Sequence, residues 1–337
     1  MPNTIYRLHF NENPLGPSPK VIEAINGHAP NLGAYPTRDD EKLRHVLAEC
    51  HGNGLTPNHF YSTYSGSEGL DLIARIYLSP GDEGIICKPT FGVYQVTAGW
   101  QNAKIVDVPL DPDHFTLRVD DILAAVNDRT RLIYLGNPNN PTGTIITHDE
   151  MERLYATLPE EVMIVSDEVY YQFVRNPAYP DSLAAVMADR KVLVLHSFSK
   201  AYGLAGLRVG IVIAQPDIIS RLVHLRRTFH LGTLEMEAAI AAIGDQDHIK
   251  NSVDLAWSGK QWLYDQFDRL GLKTWPSEAN FILFRTAIPS DEVADRLSQE
   301  DILVGPGTRF GIPDCIRVSV GLPEANEAFI KALEKVI

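Results

Sequence analysis

The sequence is poor in cysteine, in long apolar runs and in positive charge, and each shortage excludes a class of protein. Its three cysteines, Cys50, Cys87 and Cys315, lie far apart without a Cys-x-x-Cys pair, which argues against a disulfide scaffold and predicts reduced thiols. No apolar run approaches the ~20 residues that span a membrane. Asp and Glu outnumber Lys and Arg by 43 to 30, and a net charge of −13 disfavours nucleic-acid binding.

The sequence also lacks the common short motifs of several enzyme classes. It contains no Gly-x-Gly-x-x-Gly fingerprint, no Gly-x4-Gly-Lys-Ser/Thr loop, no His-Glu-x-x-His and no Gly-x-Ser-x-Gly. Its 11 histidines are scattered without the spacing of metal ligands, so we predict no metal site. The N-terminal residues lack the apolar core of a signal peptide, and we therefore expect a cytoplasmic protein.

Hydrophobic patterning predicts an α/β fold. Six apolar runs of four to seven residues are separated by connections long enough for helices. Such runs, apolar on both faces, are typical of a mostly parallel sheet covered by helices. After residue 251 a long helical pattern, two short strands and a final helix indicate a smaller second unit. The six runs are 84–87, 104–108, 131–135, 163–166, 191–196 and 208–214.

Candidate site residues follow these runs, at the edge of the sheet where parallel α/β folds bind ligands. Asp167 comes directly after the fourth run, where it could cap a helix or hold a cationic heterocycle. Lys200 comes after the fifth run together with Ser197 and Ser199, and Arg208 follows eight residues later. An isolated lysine is usually solvated, but a lysine among apolar neighbours and anion donors predicts a depressed pKa and Schiff-base chemistry.

Two loops complete the set. The segment 135–143 contains two prolines that fix three asparagines, including Asn140, although alone it would be an ordinary polar loop. Gly66 and Ser67 lie just before a predicted helix at 68–78, where backbone N–H groups could bind an anion or simply be capped. A lysine, an acid, rigid amides and an anion cradle together match the chemistry of pyridoxal 5′-phosphate (PLP), the cofactor that we predict.

Nine segments spread over almost the whole chain carry a more specific pattern. They are Asn-Glu-Asn-Pro-Leu-Gly at 11–16, Tyr-Pro at 35–36, Gly-Ser-Glu-Gly at 66–69, Pro-Thr-Phe-Gly-Val-Tyr at 89–94, Asn-Pro-Asn-Asn-Pro-Thr-Gly at 137–143, Ser-Asp-Glu-Val-Tyr at 166–170, Ser-Phe-Ser-Lys-Ala-Tyr-Gly-Leu-Ala-Gly-Leu-Arg at 197–208, Ser-Glu-Ala-Asn-Phe at 277–281 and Cys-Ile-Arg-Val-Ser-Val-Gly at 315–321. In this order they resemble fold-type I PLP-dependent aminotransferases of class I/II, in the histidinol-phosphate aminotransferase-like branch. The resemblance implies a large cofactor domain at 32–245, and a small domain that combines an N-terminal arm, 1–31, with 246–337.

The resemblance also implies a role for each candidate residue. Lys200 would bind the cofactor as a Schiff base and carry protons, and Asp167 would keep the pyridine nitrogen protonated. Arg317 would bind the substrate carboxylate with Asn280 nearby, and Tyr35 would reach the cofactor phosphate and substrate of a neighbouring subunit in a homodimer. Arg317 could instead pair with a surface acid, and Asn280 could serve a capping role. The other cofactor contacts would come from Gly66, Ser67, Phe91, Asn140, Tyr170, Ser197, Ser199 and Arg208, with Tyr170 also catalytic and Phe91 otherwise a core residue.

The implied activity is ping-pong transamination between an amine donor and a 2-oxo acid. The donor is an amino acid or a histidinol-phosphate-like amine, and a decarboxylase of the threonine-phosphate type is the alternative reaction. A non-catalytic regulator that binds the same cofactor would need a DNA-binding module, which we do not expect. One departure bears on the substrate: histidinol-phosphate enzymes commonly carry an arginine where this chain has Gly305, with Arg309 as the nearest replacement. Gly305 therefore favours a carboxylate-bearing donor, aromatic or otherwise apolar.

Overall fold

The computed structural model describes residues 5–337, and the strands of this range form two sheets. Residues 1–4 of the predicted arm lie outside the described range. The strands are β1 (Tyr6–Leu8), β2 (Phe60–Tyr64), β3 (Glu83–Lys88), β4 (Lys104–Pro109), β5 (Thr130–Gly136), β6 (Met163–Asp167), β7 (Val192–Ser197), β8 (Val209–Ile213), β9 (Phe281–Arg285), β10 (Ile302–Pro306) and β11 (Cys315–Ser319). The helices are α1 (Pro19–His28), α2 (Glu41–His51), α3 (Ser65–Tyr77), α4 (Val93–Trp100), α5 (Val119–Ala125), α6 (His148–Thr157), α7 (Ser182–Met187), α8 (Pro216–Leu225), α9 (Thr233–Ile243), α10 (Gln246–Arg269), α11 (Ser290–Gln299) and α12 (Pro323–Val336).

The larger sheet has seven strands in the order β2-β8-β7-β6-β5-β3-β4. The pairings from β7 through β6, β5 and β3 to β4 are all parallel, whereas β8 runs antiparallel to both β2 and β7. All six predicted apolar runs are strands, β3 to β8, so the prediction of a mostly parallel α/β sheet is confirmed. Strand β2 was not predicted, because its Phe-Tyr-Ser-Thr-Tyr sequence mixes polar and aromatic residues.

The central strands are buried on both faces, which is why they appear as continuous apolar runs. Successive side chains of a strand point to opposite faces. Ile133 of β5 and Ile164 of β6 therefore pack into one hydrophobic cluster, and Tyr134 and Val165 pack into another on the opposite face. Each fully buried aliphatic side chain of this kind stabilises the fold by about 1.5–3 kcal/mol. The sheet is thus a rigid platform for the polar residues at its carboxyl edge.

The smaller sheet has the order β1-β10-β11-β9 and joins the two ends of the chain. Strand β1 pairs in parallel with β10, so the N-terminal arm is fixed to a strand almost 300 residues later. The long helix predicted after residue 251 begins earlier, at Gln246, and ends at Arg269. None of the helices within residues 5–337 is long and apolar enough to cross a membrane.

Candidate active site

A cavity of about 450 Å³ opens at the carboxyl ends of β5, β6 and β7. Its walls also include the first turn of α3, residues of β10 and β11, and the arm residues 9–12. All but two of the predicted site residues line it: Gly66, Ser67, Phe91, Asn140, Asp167, Tyr170, Ser197, Ser199, Lys200, Arg208 and Arg317. Segments far apart in the sequence therefore meet around one space, as expected for the carboxyl edge of a parallel sheet.

Asp167 is the last residue of β6, and its carboxylate is half satisfied. Tyr94 donates its hydroxyl to Asp167 Oδ2 at 2.8 Å. The other oxygen, Oδ1, is buried and accepts no hydrogen bond from residues 5–337. Burial raises the pKa of Asp167 to about 6, and this rise is opposed by the hydrogen bond with Tyr94 and by the nearby backbone N–H of Val169. A buried carboxylate with an unused oxygen suits a cationic N–H donor at that atom.

Lys200 lies three residues beyond β7 and faces the same cavity. Its Nζ donates to the carbonyl oxygen of Phe10 at 3.0 Å. Burial, followed by the positive charges of Arg317 and Arg208, lowers the pKa of Lys200 to about 7. A substantial fraction of the side chain is therefore neutral near pH 7, and a neutral amine can act as a nucleophile and as a general base.

One end of the cavity is built to hold an anion. Gly66 and Ser67 in the first turn of α3 line this part of the cavity, and the first N–H groups of a helix have no partner within the helix. A Cβ at Gly210 would lie only 2.6 Å from the backbone N of Gly66, so strand and helix approach through a glycine. Ser197 Oγ accepts the backbone N–H of Ser199 at 3.1 Å. Arg208 has a left-handed backbone, φ +58°, and anchors its guanidinium on the carbonyl of Ala205 at 2.8 Å. Helix N–H groups, hydroxyls and a guanidinium are the donors that suit a phosphate group.

Arg317 of β11 also lines the cavity and is only 6% exposed. Its Nη1 donates to Asn140 Oδ1 and its Nη2 to the carbonyl oxygen of His9. The guanidinium carbon lies 5.5 Å from the ring centre of Phe281 and 5.3 Å from that of Phe310. Arg317 therefore lines the cavity and pairs with no acid among residues 5–337, although its sequence left pairing with a surface acid open.

Tyr170 and Phe91 line the same cavity. The Tyr170 hydroxyl accepts a hydrogen bond from Asn11 Nδ2 at 2.9 Å, which ties it to the arm. The Phe91 ring meets the Tyr94 ring edge-on at 5.7 Å, and the same ring also borders the cavity. The core and binding interpretations of Phe91 are therefore compatible, since one ring edge packs while the rest faces the ligand space.

Two predicted site residues do not line this chain's cavity. Asn280 is buried behind the arm, where its Nδ2 donates to the carbonyl oxygen of Asn11 at 3.1 Å. It therefore supports Asn11, which lines the cavity, and does not line the cavity itself. Tyr35 is 83% exposed, and its ring stacks on Phe229 at 4.7 Å.

Sequence reasoning missed two features of the site: the arm residues that line the cavity, and the hydrogen bond from Tyr94 to Asp167. His9, Phe10 and Glu12 line the cavity, and the backbone carbonyls of His9 and Phe10 accept from Arg317 and Lys200. The only signal for this in the sequence was the Asn-Glu-Asn-Pro motif, which has no helical or strand periodicity to show where it packs.

The three parts of the cavity fit PLP. Asp167 offers an unused oxygen for the pyridine nitrogen, Lys200 offers an amine for the aldehyde, and the start of α3 with Arg208 offers a phosphate site. In the part of the chain that the structure describes, no group of three or more His, Cys, Asp or Glu side chains could hold a metal ion. Fold and site together define a PLP-dependent enzyme of fold type I.

Comparison with known proteins gives the family. The model of the family "Aminotransferase class I and II" matches residues 3–333, and the chain belongs to this family of PLP-dependent aminotransferases. It is 38% identical over 334 residues to a histidinol-phosphate aminotransferase of Moorella thermoacetica, covering 99% of this chain and 86% of the relative. It is 36% identical over 333 residues to that of Brevibacillus brevis, covering 99% and 90%. The predicted resemblance is therefore confirmed.

Solved structures agree on the fold. The histidinol-phosphate aminotransferase of Sinorhizobium meliloti, in complex with pyridoxal 5′-phosphate, superposes with a TM-score of 0.90 at 26% identity, covering 99% of this chain and 91% of that one. The L-threonine-O-3-phosphate decarboxylase of Porphyromonas gingivalis superposes with a TM-score of 0.85 at 22% identity, covering 98% and 99%. At that identity the second comparison shows the fold alone.

Proposed function

We propose that this aminotransferase moves an amino group from an amine donor to a 2-oxo acid in two half-reactions that share the cavity described above. The observation that carries the proposal is the position of the Lys200 amine, in one buried space with the unused oxygen of Asp167 and the guanidinium of Arg317. An amine of lowered pKa, a carboxylate and an anion-binding arginine are the groups that amino transfer requires.

PLP, when bound, supplies the electron-accepting ring through which the Cα–H bond of the substrate is weakened. Lys200 would take the proton from the substrate Cα as a general base and deliver it to the cofactor as a general acid, for which its pKa of about 7 is well placed. Asp167 would balance the positive charge at the pyridine nitrogen. Tyr170 and Asn140 would hydrogen-bond the phenolic oxygen, and Arg317 would hold the substrate anion so that its Cα stays near Lys200.

Two donor classes are consistent with this arrangement. The named activity of the relatives makes histidinol phosphate one candidate. The single buried guanidinium of Arg317 makes an amino acid the other, because one buried cation balances one carboxylate. Both share the same 2-oxo acid half-reaction. Decarboxylation receives no support beyond a shared fold.

The proposal includes a homodimer in which Tyr35 reaches the phosphate end of the neighbouring subunit's cavity. A ring that is 83% exposed and stacks only on Phe229 lacks the burial that usually fixes an aromatic side chain. A two-fold axis would place each Tyr35 equivalently on its partner.

A half-reaction screen tests the proposed function. Purified enzyme with bound PLP is mixed with one amine at a time, without an acceptor, and absorbance follows conversion of the cofactor to its amine form. We expect conversion with at least one amino acid or with histidinol phosphate, and regeneration by a 2-oxo acid. Release of carbon dioxide in place of conversion would establish the decarboxylase. The Lys200→Ala variant is expected to retain its fold but to lose conversion, and near wild-type conversion by this variant would contradict the role of Lys200.

A further inference from the structure

Asn11 of the arm is fully hydrogen-bonded, because all four of its polar groups have partners. Its backbone N–H donates to Ser319 Oγ at 2.8 Å, and the Ser319 hydroxyl donates back to Asn11 Oδ1 at 3.0 Å. Its carbonyl oxygen accepts from Asn280 Nδ2 at 3.1 Å. Its own Nδ2 donates to the hydroxyl oxygen of Tyr170 at 2.9 Å. One residue therefore fixes the arm to β11, to the start of β9 and to the segment that follows β6.

The backbone of Asn11 restricts which residues can replace it. Asn11 is buried and has a left-handed conformation, φ +54°. Asparagine and aspartate enter this region more readily than other residues with a side chain, and glycine enters it freely. Aspartate and glycine at position 11 therefore keep the path of the arm.

The contacts with Ser319 determine which way the Asn11 amide faces. A serine hydroxyl has one proton to donate. Ser319 Oγ accepts the backbone N–H of Asn11, and its proton is directed to Asn11 Oδ1. The amide thus presents an N–H donor, and not its oxygen, to Tyr170.

This donor determines where the single proton of the Tyr170 hydroxyl can go. A tyrosine hydroxyl that accepts an N–H cannot donate to the same group, so its proton remains free for another acceptor. Tyr170 lines the cavity. The contact with Asn11 therefore leaves the Tyr170 hydroxyl with a proton to donate on the cavity side.

We propose that Asn11 is a positioning residue that acts through Tyr170: it donates to the hydroxyl oxygen and thereby directs the hydroxyl proton toward the phenolic oxygen of bound PLP. This inference rests on the proposed function, in which Tyr170 hydrogen-bonds that oxygen. A donor at the phenolic oxygen stabilises negative charge there and lowers the affinity of the conjugated cofactor for a proton. The arm therefore contributes to the protonation state of the cofactor.

Three charged groups also face Tyr170. Burial raises the pKa of the Tyr170 hydroxyl, Arg317 and the hydrogen bond from Asn11 oppose the rise, and Asp167 adds to it. Lys200 Nζ lies 5.5 Å from the centre of the Tyr170 ring. A test at position 11 leaves all three charged groups in place.

The test replaces Asn11 with Asp. Asp has nearly the same shape, but its carboxylate presents an acceptor where the amide presents a donor, so it draws the Tyr170 proton away from the cavity. Absorbance of the PLP-loaded enzyme is followed against pH, and the midpoint of the transition is measured together with kcat and KM. The same substitution is made in a Tyr170→Phe background, which has no proton to redirect.

We expect Asn11→Asp to raise the absorbance midpoint and to lower kcat ~10-fold or more, with a smaller change in KM. The new negative charge acts in both backgrounds, so the difference between the two midpoint shifts reports the Tyr170 proton. We expect the shift to be larger by at least ~0.5 pH unit when Tyr170 is present.

Asn13→Asp is the matched control. Asn13 is also on the arm, where its Nδ2 donates to the carbonyl oxygen of Ala201 at 2.9 Å and to Ser252 Oγ at 2.8 Å. The variant disturbs the attachment of the arm and adds the same charge at a greater distance from Tyr170, so its midpoint shift should be less than about half that of Asn11→Asp.

Asn11→Gly serves as a second variant if a buried carboxylate prevents the arm from docking. It tolerates the same φ and removes the donor without supplying an acceptor. The midpoint should again rise, by less than in Asn11→Asp, because Tyr170 keeps its proton but loses the group that directs it.

Equal midpoint shifts with and without the Tyr170 hydroxyl would overturn the inference, as would a shift in Asn13→Asp as large as that in Asn11→Asp. Failure of the proposed transamination would look different. In that case no amine would convert the bound cofactor, whereas the midpoints could still be compared, because the absorbance of the loaded enzyme requires no substrate.

Discussion

At the residue scale, Asp167 shows how burial prepares a group for a partner. One carboxylate oxygen accepts from Tyr94, and burial raises the pKa of Asp167 to about 6. A protonated pyridine nitrogen at the other oxygen would favour the ionised carboxylate, because an opposite charge at close range offsets desolvation. Burial of Asp167 at the end of β6 therefore destabilises its ionised form, and a cation at the free oxygen would stabilise that form again.

Replacing Asp167 with Asn tests whether its negative charge balances the pyridine nitrogen. The amide keeps the shape of the side chain but cannot balance a positive charge, so we expect kcat to fall by at least ~10²-fold, or about 3 kcal/mol. Occupancy by PLP, measured by absorbance, should fall much less, since the phosphate site is untouched. Tyr94→Phe is the matched control, because it removes the hydrogen bond to Oδ2 but keeps the charge, and its loss should be smaller. Wild-type turnover by Asp167→Asn would refute the role.

Some of these residues could be recognised from the sequence and others could not. Asp167 and Lys200 each follow a buried apolar run closely, and in a parallel sheet such positions share one edge. The contact of Tyr94 with Asp167 and the position of His9 depend on packing between distant segments, which has no local signature. Asn280 was placed near the substrate by the family resemblance alone, and its side chain donates to the backbone carbonyl of Asn11, a contact between distant segments that the sequence does not show.

At the element scale, a buried lysine connects α10 to the loop that contains Asn140. Lys260 is fully buried, its Nζ lies 3.5 Å from the ring centre of Trp257 and it donates to the carbonyl oxygen of Ser277. Ser277 packs so closely on the loop of Asn140 that a Cβ at Gly143 would lie 2.2 Å from Ser277 Oγ. The helix thereby supports the loop that holds Asn140.

The pH dependence of stability gives a test of this buried lysine. Burial lowers the pKa of Lys260 to about 7 in the folded protein, against ~10.4 for an unfolded lysine. The unfolded state therefore binds more protons between these values, so Lys260 lowers stability fully below pH ~7 and progressively less as pH rises toward ~10. Lys260→Met removes this titration. We expect the gain in free energy of unfolding from pH ~7 to ~9.5 to be larger in wild type than in the variant, measured by urea denaturation.

Lys331→Met is the control, because Lys331 is exposed on α12. It should follow the wild-type pH profile. Parallel profiles for wild type and Lys260→Met would mean that Lys260 remains charged in the fold, and the assignment of a low pKa would be wrong.

The strands differed in how well the sequence predicted them. The apolar runs of β3 to β8 were clear because burial on both faces removes polar residues from them. The sequence did not indicate strand direction, because β8 runs antiparallel to β7 and yet is as apolar as the parallel strands of the sheet. The strand β10 was missed, and its pairing with β1 follows from tertiary packing that no local pattern encodes.

At the scale of the whole molecule, the proposed dimer makes each active site depend on two chains. We also propose the division into a large domain at 32–245 and a small domain built from the arm and 246–337. In this arrangement Tyr35 lies near the start of the large domain, stacks on Phe229 and does not line the cavity of its own chain.

Mixed dimers test whether Tyr35 acts across the interface. Tyr35→Ala and Lys200→Ala variants should each have little activity, although light scattering should find dimers of the 37.5 kDa chain in both. After unfolding and refolding together in equal amounts, they should recover roughly a quarter of wild-type activity, because about half of the dimers are hybrids and each hybrid has one complete site. No recovery on mixing, or a fully active monomer, would contradict the shared site.

The pairing of β1 with β10 has a consequence for the newly made protein. Residues 6–8 leave the ribosome among the first of the chain, but their partner strand, 302–304, follows almost 300 residues later. At ~5–20 residues per second that interval is roughly 15–60 s. Once β8 has left the ribosome, the sheet from β2 to β8 can form the part of the cavity that Asp167, Lys200 and Arg208 line, while the arm that completes the cavity still has no strand to join. The ability to retain a cofactor can therefore precede the ability to select a substrate during synthesis.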